Sequence, residues 1–348
     1  MIDFYPALPT DNIEQYHDIW VYIENRNGNI KKVGLELLGV GRGLADKINE
    51  KLVAVIMGYQ IEGKAEEIIK YGADKVYVAD NLTLKDYRTE PYAEVFTELI
   101  KSKKPSILLI GATKQGRDIA SRIAVKVRTG STADCTMFDV DPQRKLLKAT
   151  RPTFGGKQLA TIICDRHRPQ IATGRPGTFK PLPYNPNRTG TVEKVNVNLK
   201  EEEILVKLVK FIPKEEADLE NAKIIVSGGR GLKGKEGFEM LKAFAKEVGG
   251  VVGSSRVAVE EGWIEKETQV GQTGRSVSPD VYIACGISGA VQHITGITNS
   301  KIIIAINNDP NAEIFQYSDY GIVGDVFVVI PKLIELVRKY KSSNQQQK

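Results

Sequence analysis

The sequence predicts a two-domain α/β protein, each domain built on a mostly parallel sheet with flanking helices and the second doubly wound. Three observations carry this. Short apolar runs alternate with stretches of helical spacing in both halves of the chain, the pattern of a sheet covered on two faces. From about residue 133 to residue 173 the runs shorten and turn residues separate them, which reads as an antiparallel extension. The length, 348 residues, suits two domains, with the boundary placed between 1–208 and 209–348.

Residues 1–17 read as a loose leader, and 19–23 as the first strand. Residues 33–49 set Leu37, Leu38, Leu44, Ala45 and Ile48 at helical spacing. Strands follow at 52–57, 75–79 and 107–111. Helices lie between and after them: 65–71, stopped by Gly72, 91–102, with Pro91 in its first turn, and 116–127. The turn GATKQGRD at 111–118 lacks the Lys-Ser/Thr pair of a P-loop and reads as a structural turn, with phosphate binding the alternative. Short strands at 135–140, 146–151, 158–164 and 170–173 form the extension. Residues 179–188 carry three prolines and read as an extended connection. A strand at 191–197 and a charged stretch at 200–203 lead to a candidate hinge at 205–222.

The second half opens with a strand at 224–226 and the turn GGRG. A helix at 236–248 spaces Phe238, Leu241, Phe244, Ala245 and Val248 three to four apart. A strand at 251–252 ends in GSSR. Further strands are expected at Val281–Cys285, 302–306 and 326–330, then a last helix at 332–340 and a disordered tail, SSNQQQK.

The stretch QVGQTGRSVSPDVYIACGISGAVQHITG, 269–296, organises this half. In it an apolar strand runs into the turn Gly-Ile-Ser-Gly and then a helix start at 290–294. Such a turn lets backbone approach a phosphate, and Ser288 adds a hydroxyl. The spacing is not G-x-G-x-x-G, so a phosphate-bearing cofactor and a tight packing turn both remain open. In an open parallel sheet the carboxyl ends of the strands share one edge, where ligands bind. That edge would gather Arg230, Ser255, Arg256, Ser288, Gln292, His293 and Asn307.

Composition narrows the classes. With 41% hydrophobic and 26% charged residues the chain reads as ordinary soluble protein, and a net charge of +6 without a dense basic patch gives no nucleic-acid signature. Cys135, Cys164 and Cys285 are isolated, so no cysteine-based zinc or iron–sulfur site is encoded, and three free thiols fit a reducing cytoplasm. The N-terminus carries no secretory pattern, and no apolar run approaches the ~20 residues that span a bilayer. Cys285 reads as an inert core thiol, and Trp20 and Trp263 as packing residues.

The motifs VSGGRGLKG, VGSSRVAVEEGW, QVGQTGRSVSPDVYIACGISGAVQHITG, IIAINNDP and IFQYSDYGIVGDVF keep the order and spacing of one family. Residues 222–335 closely resemble the FAD-binding domain of the electron-transfer flavoprotein alpha subunit. The first half is similar to that family's N-terminal domain through GADKVYVAD, GATKQGRDIASRIAVKVRTG and RPTFGGKQLATI. The resemblance implies one FAD in the second domain and a heterodimer with a beta subunit, contacted by the first domain. It implies an electron-carrier subunit rather than a stand-alone enzyme, with an acyl-CoA dehydrogenase or a membrane quinone oxidoreductase as redox partner. By position, Arg256 lies across one face of the flavin ring, Thr273 and Gln272 at its N5 edge, His293 near its C2 carbonyl, and Val270 and Gly271 in the ring pocket. Ser255 and Arg230 contact the ring and diphosphate region. Ser288, Gly289, Ala290, Val291 and Gln292 form the phosphate turn, and Asn307, Asp325 and Val326 hold the adenosine end. The segments YRTEP (87–91) and TADCT (132–136) look like the branch whose complexes oxidise NADH and split its electrons between two acceptors. Read from residues alone, a nicotinamide-dependent enzyme and a non-redox nucleotide-binding scaffold also fit the strand-edge crevice.

Overall fold

The apolar run after Asp18 builds the centre of the first sheet, because five consecutive buried residues can only be covered from both faces. The computed structural model describes residues 12–26, 28–153, 158–210, 219 and 222–345, and the chain divides into two units, Met1–Phe211 and Ile212–Lys348.

In chain order the first unit runs β1 (His17–Ile23), β2 (Asn25–Arg26), β3 (Asn29–Ile30), α1 (Lys32–Ile48), β4 (Leu52–Gly58), α2 (Lys64–Lys70), β5 (Lys75–Asp80), α3 (Thr89–Lys103), β6 (Pro105–Gly111), α4 (Lys114–Lys126), β7 (Ser131–Cys135), β8 (Met137–Asp141), β9 (Leu146–Thr153), β10 (Gln158–Ile162), β11 (Gln170–Gly174) and β12 (Thr191–Lys194). A seven-stranded sheet, all parallel, takes the order β12-β5-β4-β1-β6-β11-β7. One core lies under α1 and α2, the other under α3 and α4, where Trp20 stacks on Phe96. The expected antiparallel extension is the three-stranded sheet β10-β9-β8. Two corrections apply to it. The run expected at 135–140 is two strands, and β7 and β11 belong to the parallel sheet. Within β7, Asp134 interrupts the register with β11: it takes a left-handed φ of 61°, donates its amide to Thr173 Oγ1 at 2.9 Å and pairs its carboxylate with Arg175 at 2.6 Å.

The second unit runs β13 (Ile224–Gly228), α5 (Lys235–Val248), β14 (Val251–Ser254), α6 (Arg256–Glu260), β15 (Val281–Cys285), α7 (Val291–Ile294), β16 (Ile302–Asn307), β17 (Tyr320–Val323) and α8 (Val326–Gln345). Its five strands are parallel in the order β14-β13-β15-β16-β17. Helices α5 and α8 cover one face; α7 and the segment around Val270 and Val277 cover the other. The expected strand at 326–330 is instead the start of α8, and the fifth strand is β17. Val326 and Ile330, four apart, are 4% and 0% exposed, while Phe327 and Val328 are 38% and 54% exposed. That is the burial of a helix, and Asp325 starts it by accepting the Phe327 amide at 2.9 Å. Helix α8 also takes in Ser342–Gln345 of the expected tail, leaving 346–348 outside the described residues. Residues 1–11 of the leader at 1–17, and 211–218, 220 and 221 of the candidate hinge at 205–222, also lie outside them. Among the described residues no helix is long and apolar enough to cross a membrane.

Candidate functional site

The strand order of the second sheet fixes where a ligand fits. After β13 the chain goes outward to β14 and returns past β13 to β15, so the connections diverge between β13 and β15. At such a switch point the turns leaving the two strands part and open a crevice at their carboxyl ends. The turn after β13 is Gly229-Arg230-Gly231, and the turn after β15 is Gly286-Ile287-Ser288-Gly289.

The two turns are laced together by backbone. Gly229 N–H donates to Cys285 O at 2.9 Å and Gly231 N–H to Gly286 O at 3.0 Å. A Cβ on Gly229 would stand 2.3 Å from Gly286 O, so only glycine permits this approach. Gly289 takes φ 95°, and a Cβ there would meet Ile314 N at 2.2 Å. The packing side of the turn is thus filled, while Ser288, Ala290, Val291 and Gln292 face outward, exposed. Arg230 is exposed beside them.

A third segment closes over the same edge. Val270 N–H donates to Ser254 O at 2.9 Å, anchoring the Gln-Thr loop to the end of β14. Gln272 N–H donates to Gln292 O at 2.7 Å, anchoring it to α7. Inside the loop the Gln269 amide donates to Thr273 Oγ1 at 2.9 Å. Gln272 and Thr273 are exposed; Val270 and Gly271 are buried beneath them. Ser255 is half-buried and its N–H donates to Gly228 O at 2.9 Å. Arg256 opens α6 and is exposed, its Nε donating to Glu260 at 2.6 Å.

His293 is the buried member of the set. Its Nε2 lies 2.9 Å from the Tyr282 hydroxyl, while its Nδ1 is buried without a hydrogen-bond partner. Burial pushes its pKa down to about 4; the Val270 backbone pulls the other way without completing a hydrogen bond to Nδ1. The ring is therefore neutral near pH 7. Asn307 braces the turn, donating Nδ2 to Ile287 O at 2.9 Å and accepting the Asp309 amide at 3.0 Å. Gly324 N–H donates to Asn307 O at 2.9 Å, which brings Asp325 to the same edge. The Val326 side chain packs into the core beside α5 and leaves only backbone at that edge. Sequence reasoning missed Tyr282, Gln269 and the buried Ser254–Thr268 hydroxyl pair at 2.9 Å. The signal for Tyr282 was a lone hydroxyl in an aliphatic strand, which burial obliges to find a partner.

An outward hydroxyl, an exposed guanidinium and a buried ring nitrogen with no partner form a donor-rich set, which suits a diphosphate joined to a carbonyl-bearing ring. FAD has that chemistry, so the residues fit it. The other candidates behave structurally. In GATKQGRD, Thr113 Oγ1 accepts the Gly116 amide at 2.8 Å and caps α4, and a Cβ on Gly116 would meet Gly111 O at 1.8 Å. Cys285 is buried, its thiol pushed up to about 12. His17, Asp18 and Glu50 approach one another at metal-ligand range, yet Glu50 is already engaged by Lys145 and the Asp18 amide, and Asp18 by the Lys51 amide.

Residues 19–200 match the family model described as electron transfer flavoprotein domain, and residues 218–298 match the electron transfer flavoprotein FAD-binding domain. The chain is 49% identical to the electron transfer flavoprotein subunit alpha of Thermoanaerobacterium thermosaccharolyticum, covering 94% of this chain and 100% of that one. It is 44% identical to Protein FixB of Azotobacter vinelandii, covering 91% and 90%. It is 40% identical to the acryloyl-CoA reductase electron transfer subunit beta of Anaerotignum propionicum, covering 97% and 100%.

Proposed function

The chain belongs to the electron transfer flavoprotein alpha-subunit family, with FAD as its cofactor, and on that premise we propose that the β13/β15 switch point holds the FAD and that the chain relays single electrons as half of a heterodimer. The observation that carries the placement is the interlocked pair of glycine turns at that point. When bound, FAD supplies the one-electron chemistry, and the protein supplies position and electrostatics. Ser288, with Gly289, Ala290, Val291 and Gln292, binds the diphosphate by hydroxyl and backbone donors. Arg230 and Ser255 neutralise and hold the same region. Arg256, Gln272, Thr273 and His293 surround the ring with donors and one positive charge, and Val270 and Gly271 exclude water beneath it. Asn307 keeps the turn in shape, and Asp325 accepts from a ribose diol beside Val326.

The beta subunit is the partner that alpha subunits of this family pair with. We assign the contact to the first domain, 1–208, and the FAD to 209–348. Supporting this, β10 and the residues after it expose Leu159, Ile162 and Ile163, apolar side chains that a second subunit would cover. The name of the Anaerotignum relative supports an acyl-CoA dehydrogenase type of redox partner; a membrane quinone oxidoreductase is the other candidate. The segments 87–91 and 132–136 have duties inside the first unit. Arg88 pairs with Glu201, Tyr87 donates to Asp118 at 2.7 Å, and Asp134 pairs with Arg175. Those duties do not bear on electron splitting, which the proposal sets aside in favour of electron relay.

The test is Ser288→Glu in the co-expressed heterodimer. A carboxylate and extra bulk at the turn should expel most of the FAD, read as flavin absorbance per mole of purified complex. Full FAD occupancy in that variant would put the diphosphate elsewhere.

A further inference from the structure

Tyr282 stands behind His293. It is the second residue of β15, fully buried, on the sheet face that α7 covers. The two rings are tilted with centroids 6.0 Å apart, so the phenol hydroxyl meets the edge of the imidazole at Nε2. On the neighbouring strand Ser227 sits on the same face, its Oγ buried. It is close enough to favour the phenolate, as a donor would, but falls short of full hydrogen-bond geometry.

The direction of the Tyr282–His293 bond follows from counting acceptors. A neutral imidazole has one N–H and one lone pair, and the partner of one nitrogen decides what the other presents. If Nε2 carried the hydrogen, the phenol hydrogen would need another acceptor. Ser227 Oγ acts toward the phenol as a donor and falls short of full hydrogen-bond geometry, so among the described residues His293 Nε2 is the acceptor the phenol has. A buried hydroxyl without an acceptor costs about 1–3 kcal/mol. The phenol therefore donates to Nε2, and the ring hydrogen sits on Nδ1, the atom left without a partner.

We propose that Tyr282 is a positioning residue that fixes His293 as the Nδ1–H tautomer and so makes it a hydrogen-bond donor, rather than an acceptor, toward the bound flavin. The proposal rests on the FAD placement above. It gives the neutral ring a definite polarity: a donor favours negative charge arriving on a neighbouring carbonyl, and a lone pair would oppose it.

The chain has three histidines, so nitrogen-15 histidine labelling of the FAD-loaded heterodimer gives few ring signals, and His293→Gln identifies the one from His293. The expected result is a pyrrole-like Nδ1 and a pyridine-like Nε2. Tyr282→Phe keeps the shape and removes the hydroxyl. It should retain FAD, mix the tautomers, and lower the equilibrium constant for the first one-electron reduction about three- to tenfold, tenfold being about 59 mV. In a His293→Gln background the same substitution should change that constant no further. A hydrogen on Nε2 in the native protein overturns the proposal, and so does Tyr282→Phe leaving tautomer and potential unmoved, or acting fully in the His293→Gln background. The native tautomer decides the matter even if Tyr282→Phe fails to fold. Failure of the FAD placement looks different: flavin stays bound and His293→Gln leaves its potential unchanged.

Discussion

A single imidazole makes this site sensitive to acid. His293 has a folded pKa of about 4 because burial penalises its charged form, against about 6.5 in an unfolded chain. A depressed folded pKa means stability that is whole above pH 6.5 and is lost as pH falls toward 4, since the unfolded chain takes up the proton first. Urea unfolding of the flavin-free chain should lose about 2 kcal/mol of second-domain stability between pH 6.5 and 5 from this group. His293→Gln should flatten that slope by about one proton; an unchanged slope would mean the ring is solvated. Arg256 carries the opposite lesson. Its charge is permanent, but its side chain is 65% exposed and paired with Glu260. Water and the carboxylate screen it, so Arg256→Ala should lower the first flavin potential by only roughly 40 mV. A spectroelectrochemical titration with FAD still bound checks this, and no shift would remove Arg256 from the ring.

Turns and caps decide the elements around the crevice. Asp325 serves the start of α8 twice, its carboxylate accepting the Phe327 amide and its carbonyl the amides of Val328 and Val329, both at 2.9 Å. Asp325→Ala should cost about 1 kcal/mol through the lost cap. It should also weaken FAD binding if the carboxylate holds the ribose, so melting with and without FAD separates the two duties. Gly289 is less forgiving. With φ 95° and Ile314 N at 2.2 Å from the would-be Cβ, alanine meets both strain and a backbone clash. Gly289→Ala should destabilise the second domain by more than about 2 kcal/mol, and a neutral melting temperature would show that the turn adapts.

The two units have separate cores, two in each. A ligand that binds one unit stabilises that unit by mass action, about 2.7 kcal/mol at a hundredfold excess over its dissociation constant. Calorimetry of the chain before and after flavin removal should therefore move the transition of Ile212–Lys348 and leave that of Met1–Phe211 in place. Equal movement of both would mean that FAD bridges the units. In the first unit the Asp74 carboxylate is held below the usual range: burial raises it, but the Leu52 amide, Arg42 and Arg188 outweigh burial. Its contribution is present above the ordinary Asp value and lost in acid below it.

The sequence by itself determined the element types wherever a long periodic pattern existed. Helices α1 and α5 and the strands from β4 to β6 follow from apolar spacing that one geometry alone can bury. It also marked the turn at 286–289 and, through motif spacing, the family. What it left undecided was every choice that depends on a distant neighbour. The run 326–330 fits strand and helix equally until the cap at Asp325 and the core beside α5 select the helix. Strands β7 and β11 read as antiparallel because their parallel partners lie far along the chain. The strand order that puts the switch point between β13 and β15 is likewise a tertiary fact. So is the bond from Tyr282 to His293: eleven residues apart on a strand and a short helix, they meet because α7 folds back over β15. Local periodicity records which side of an element is buried, but only packing decides what it is buried against.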